Sequence, residues 1–171
     1  MTQAVPGRER AALLKQLDTQ RAHVLGILKG LSDSELRRPV LPTGWTCAAM
    51  VHHLAIDVER FWFQGAVAGE PVDFSDPTGW QPSAGEPAES ALKLYRSESA
   101  RADKILADVD LDAPPARWPD HFGEWRLRDA REVILHVITE TAAHAGHLDA
   151  ARELIDGRTW LGSPESRVPS D

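Results

Sequence analysis

A single cysteine, Cys47, stands among the 171 residues, so no disulfide framework exists. No apolar run is long enough to span a bilayer. The opening residues MTQAVPGRER lack the apolar core of a signal peptide, and the expectation is a cytoplasmic protein. Strand signals are absent: there is no sustained period-two alternation, and no Asn-Gly or Asp-Gly separates two apolar runs. Internal repeats and charged tails are missing too. The formal net charge of −7 argues against a nucleic-acid partner and against an anionic membrane surface. With 42% hydrophobic and 26% charged residues the chain is too apolar to be disordered. It is also long enough to bury a core without a structural metal. What it does have is six tryptophans against one tyrosine, and seven histidines.

Four long helical stretches stand out, rich in Ala, Leu, Glu and Arg. The first runs from about Arg8 to Lys29, with Leu13, Leu14, Leu17, Val24, Leu25 and Leu28 at three- and four-residue steps and Gly30 as a stop. Ser32 and Glu35 have the spacing of a capping box and predict a short turn of helix. Thr46 then caps a second helix from Cys47 to Val67. A third runs from near Pro87 to Val109, and a fourth from about Leu127 to Asp156, ended by Gly157. Two long connections separate helices two from three and three from four. The first of these, Gly69 to Pro87, is expected to be cut by protease before the helices are. This pattern predicts an all-α protein, a four-helix bundle over residues 1–157 with a polar, loosely held tail over 158–171.

On a helical wheel the second helix places His53 at the edge of an apolar arc formed by Met50, Val51, Leu54, Val58 and Phe61, with Asp57 roughly 40° away on the same side. His52 points elsewhere, near Glu59, and is expected in solvent. On the fourth helix His136, His147, Glu140 and His144 lie within roughly 80° and overlap the inner face. Burying such a stripe is costly unless its members are paired or ligated. Glu140 and His144, four residues apart, project side by side, and His53 from a facing helix supplies a third donor. Three protein ligands leave a position open for water or substrate, the pattern of a catalytic zinc site; iron and nickel suit the same donors. A stripe of hydrogen-bonded polar residues without metal is the plainer alternative.

The residues also resemble a known family. Gly44-Trp45-Thr46, His53-Leu54-Ala55 and Glu59-Arg60-Phe61-Trp62 look like the second-helix signature of the DinB-like superfamily. Glu140-Thr141-Ala142-Ala143-His144-Ala145-Gly146-His147 and Arg152-Glu153-Leu154-Ile155-Asp156-Gly157 resemble the fourth-helix signature of an actinobacterial branch. The resemblance implies a bundle that holds a divalent metal, zinc first, with His53, Glu140 and His144 as ligands. Many relatives carry histidine where Glu140 stands; the mycothiol-dependent maleylpyruvate isomerases carry glutamate. His147 matches a position often occupied by glutamine and is taken as facing substrate. His136 is not marked as a ligand.

Characterised members use a low-molecular-weight thiol, mycothiol or bacillithiol, in transfer or isomerisation. The resemblance therefore implies an enzyme that joins mycothiol to a small electrophile or isomerises one, and such bundles often form homodimers. The lone cysteine agrees with a thiol supplied by the cosubstrate. Trp45, Trp62, Trp80, Trp118 and Trp125 lie in or near segments that can cover an open metal position, and aromatic lining suits an apolar electrophile. His121, in the last long connection, is a second acid or base beside His147. Two other functions stay open: a binding protein that sequesters a small toxic compound, and a hydrolase whose metal activates water.

Overall fold

The computed structural model describes residues 7–72, 85–163 and 165–169. Among them every regular element is helical, and one isolated bridge, Thr159 to Arg167, is the only strand-like pairing. Helix α1 is Arg8–Ile27, and it buries Leu17, Val24 and Ile27. The short α2, Asp33–Leu36, opens with the capping box expected of Ser32 and Glu35: Glu35 N donates to Ser32 Oγ, and Ser32 N donates to Glu35 Oε2. Its Asp33 also accepts from Ala88 N at 2.5 Å and so caps the start of α4, Glu89–Asp108.

Thr46 caps α3, Cys47–His53, by accepting from Ala49 N at 3.1 Å. The chain does not stop there. It continues as a π-helix over Leu54–Val67, closed at its end by Ala68 N donating to Phe63 O, five residues back. Here π winding covers 14 residues, whereas a single turn is the common form. Helix α5, Ala130–Asp156, starts three residues later than the apolar pattern implies, because Asp129 takes the cap position and accepts from Glu132 N at 2.9 Å. It ends at Gly157, whose φ of 77° suits a residue without Cβ.

The most extensive packing is of α1 on α5 and of the π segment on α4; the π segment also meets α5, and α3 meets α4 and α5. The π segment is therefore central. Leu54, Ala55, Val58, Phe61, Trp62, Phe63, Ala66 and Val67 are all buried, as a helix covered on several sides requires. Burying one such aromatic ring as Phe63 contributes about 1.5–3 kcal/mol.

Two expectations need correction. His52 and Glu59 do not form a solvent face: Glu59 is fully buried and His52 is half-buried with its Nδ1 enclosed. An α wheel fails there because the winding changes and because a third element, α1, covers that side. Arg21 of α1 donates to both Glu59 oxygens at 2.7 Å. In the segment after α5, Trp160 is not loose either. Trp160 stacks on His23 at 5.4 Å and sits against Gly26, where a Cβ would lie 2.0 Å from the ring.

Candidate functional site

The π segment and α5 run antiparallel, and two ring contacts set their register. His53 meets His144 edge to face with centroids 5.0 Å apart, and Trp62 meets His136 at 4.7 Å. Moving forward along one element means moving back along the other, so the same register puts Asp57 level with Glu140. Three levels result: His53 with His144, Asp57 with Glu140, and Trp62 with His136.

The winding makes this alignment possible. In an α-helix nine residues turn through about 900°, which would put Trp62 opposite His53. In a π-helix, at about 4.4 residues per turn, nine residues make about two whole turns. Trp62 thus shares a face with His53, and Asp57 falls between them. A wheel drawn at α spacing cannot show this.

At the first level, His53 Nδ1 lies 2.8 Å from Asp57 Oδ2. A carboxylate only accepts, so Nδ1 donates, which makes Nε2 the nitrogen that carries the lone pair in the neutral ring. Such a histidine–carboxylate pair is the usual support of a metal-binding imidazole. His144 is mostly covered, and Trp45 stacks over it at 6.1 Å while standing edge-on to His53 at 5.6 Å. Burial first, then His53 nearby, hold His144 below the usual imidazole range against the pull of Glu140. Glu140 Oε2 is 3.6 Å from His144 Nε2, and its side chain is 40% exposed. His147 is exposed, with its Nδ1 3.4 Å from His144 Nδ1.

At the third level the connection between α4 and α5 folds down on the helices. Phe122 stacks on Trp62 at 5.6 Å, with Trp118 and Trp125 packed beside it. Trp125 also touches His136 at 5.7 Å. Burial keeps His136 below the usual imidazole range, with Glu140 pulling weakly the other way. His121 occupies a single 3-10 turn, Asp120–Phe122, where it is exposed and rests on Phe122 at 4.2 Å and Phe61 at 6.2 Å. It lines a cavity of about 230 Å³ together with Phe61, Gly65, Val72 and Arg117. Trp80 lies outside the described residues.

The predicted donors are thus brought together in part. His53 and His144 touch, Glu140 lies beside them, and His121 stands at the aromatic end. Among the described residues no three His, Cys, Asp or Glu side chains are gathered closely enough to hold a metal as they stand. The donor set still fits a divalent ion in kind: two imidazoles, one of them already oriented by a carboxylate, and a carboxylate with room to turn. Asp57 is the residue whose part sequence reasoning missed, although its place on the His53 side of the wheel was a usable signal. Cys47 is not part of the chemistry. It is buried at the start of α3, and burial pushes its thiol up to about 11.

Among the described residues, no helix is long and apolar enough to cross a membrane. No curated protein matches the chain, and no solved structure does. The family model for mycothiol-S-transferase matches residues 12–157, a span that holds all three levels of the strip, and the chain belongs to that family, within the DinB-like superfamily.

Proposed function

We propose that the protein transfers the sulfur of mycothiol to a small electrophile within a DinB-like bundle, with a divalent ion, zinc first, held by His53, Glu140 and His144. The observation that carries the reading is the contact of His53 with His144 across two helices, with His53 Nδ1 already engaged by Asp57. Glu140 completes the set by turning its half-exposed side chain toward His144.

When bound, such an ion supplies the positive charge that favours thiolate over thiol near neutral pH. The protein's own sulfur cannot serve, since Cys47 stays protonated below about 11. An external thiol is therefore required. Trp45 covers His53 and His144 and keeps water from that side. His147, exposed beside His144, takes the thiol proton. His121 stands ready to exchange a proton with the departing group at the aromatic end.

The test is elemental analysis of the purified protein, followed by turnover of mycothiol with a panel of electrophiles. One ion per chain and many turnovers are expected, with both lost in His53→Ala. Full metal and full turnover in that variant would remove His53 from the site. Consumption that stops at one equivalent would make the protein a binder, and turnover of esters or amides without thiol would make it a hydrolase.

A further inference from the structure

We infer that the far level of the strip, Trp62, His136 and Trp125, is the subsite of the sulfur acceptor, and that it takes a planar, conjugated, uncharged electrophile. The inference rests on the S-transfer reading and adds the class of the second substrate.

Position comes first. His136 and His144 are eight residues apart on α5, about 12 Å along the axis, with Glu140 midway at about 6 Å from either. The aromatic level is therefore about 12 Å from His144, a gap that a bound sulfur and one acceptor ring span together, and the π winding keeps it on the same face.

The state of the rings is the second observation. Trp62 is 5% exposed and fully engaged by Phe122, Trp118, Trp125 and His136. Trp125 is different: it is 44% exposed. Trp118 at 5.4 Å and Phe122 at 5.2 Å fix its inner side. Its ring centre is 5.7 Å from that of His136, so an aromatic side chain packed on one side and still 44% exposed stands at the end of the strip. A flat conjugated molecule gains most from such a surface, because offset stacking adds to the burial of area.

Charge selects further. The approach passes the carboxylate of Asp57, which repels an anion, whereas the charge of Glu140 is committed to the ion. Arg126 is already occupied: it lies over the Trp118 ring at 5.6 Å and donates to the carbonyls of Gly123 and Trp125, while Arg117 lines the cavity with Phe61 and His121. Trp62, His136 and Trp125 themselves offer no fixed positive charge to a carboxylate or phosphate on the acceptor. For a halogenated arene the step balances simply. The thiolate sulfur bonds to the ring carbon, the carbon–halogen bond breaks, halide leaves with the electron pair, and the thiol proton has already passed to base.

The experiment compares wild type with Trp125→Ala and Trp125→Phe. Chlorodinitrobenzene serves as the planar acceptor, iodoacetamide as the non-planar one, and unreactive dinitrobenzene as a binding probe followed by calorimetry. Trp125→Ala should raise KM for chlorodinitrobenzene about five- to tenfold, leave KM for mycothiol and for iodoacetamide unchanged, and weaken dinitrobenzene binding by the same factor. Trp125→Phe should restore most of the loss. An arene KM that does not move in Trp125→Ala, or a shift shared equally by both electrophiles, overturns the subsite. The two readings fail separately. If wild type binds dinitrobenzene through Trp125 but turns over neither electrophile, the subsite stands and S-transfer falls; turnover that ignores Trp125 gives the converse.

Discussion

His53 has two ring nitrogens, and Asp57 decides which of them carries the proton. The 2.8 Å contact of Nδ1 with Asp57 Oδ2 places the lone pair of the neutral ring on Nε2, the form in which an imidazole ligates a metal. Asp57→Asn keeps the shape and removes the charge that holds the proton on Nδ1. Metal affinity, measured against a competing chelator, should drop about 10- to 100-fold. In the metal-free protein the ring-nitrogen shifts of His53 should move from a single tautomer toward a mixture. An unchanged tautomer in Asp57→Asn would show that some other group orients the ring. Cys47 makes the opposite point at the same scale. Its place at the start of a helix favours a thiolate, yet burial wins and holds the thiol up at about 11.

Helices are the scale at which the sequence is easiest to read, and the particular residues show why. Thr46, Ser32 and Gly157 mark ends by local chemistry, since each satisfies backbone groups within its own turn, and all three act as their positions predict. The Leu17, Val24 and Leu28 stripe is likewise a local pattern with a buried outcome. The π winding of Leu54–Val67 is not legible that way, because no local spacing or capping residue marks where it begins. For that reason His53, Glu140 and His144 could be named in advance, while the alignment of Trp62 with His53 could not. Arg152 lies between these cases. The Arg152 to Gly157 run was visible only as a resemblance, and the structure supplies its physics. Arg152 is 1% exposed, donates to the carbonyls of Ile27 at 2.7 Å and Lys29 at 2.9 Å, and pairs with Asp156 at 2.8 Å. It thus closes the C-terminal end of α1 and ties it to α5. Arg152→Met should lower unfolding stability by about 3 kcal/mol or more, read from the urea midpoint. A loss under about 0.5 kcal/mol, the usual size of a surface change, would show that water takes over those carbonyls.

Over the whole molecule the buried charges give stability a pH dependence whose sign can be worked out. Glu98 is pushed up by burial, but hydrogen bonds from Arg60, at 2.5 Å, and from Gln64 outweigh it and leave the carboxyl below its usual range. Asp156 shows the same balance, with burial outweighed by Arg152 and the Arg158 backbone. Glu59 goes the other way: burial raises it more than Arg21 lowers it. A carboxyl whose folded value is depressed binds its proton more readily in the unfolded chain. Its stabilising effect is complete above the unfolded value and is lost as pH falls through the folded one. Glu98 and Asp156 therefore weaken the fold on the acid side. Glu59 acts in the opposite sense, because its proton favours the folded form and its contribution fades as pH rises through its own folded value. Asp33, Glu35, Glu132 and Glu165 are held low as well, so the depressed carboxyls outnumber Glu59 and predict a stability that declines as pH drops below about 5. Urea unfolding followed from pH 7 to pH 3 should show this limb. Arg60→Met removes the guanidinium that depresses Glu98. That variant should be weaker at pH 7 and should lose less on acidification, so its limb is shallower. An acid limb of unchanged slope in Arg60→Met would mean that the Glu98 pair does not set it, and would leave Asp156 as the group to test next through Arg152→Met.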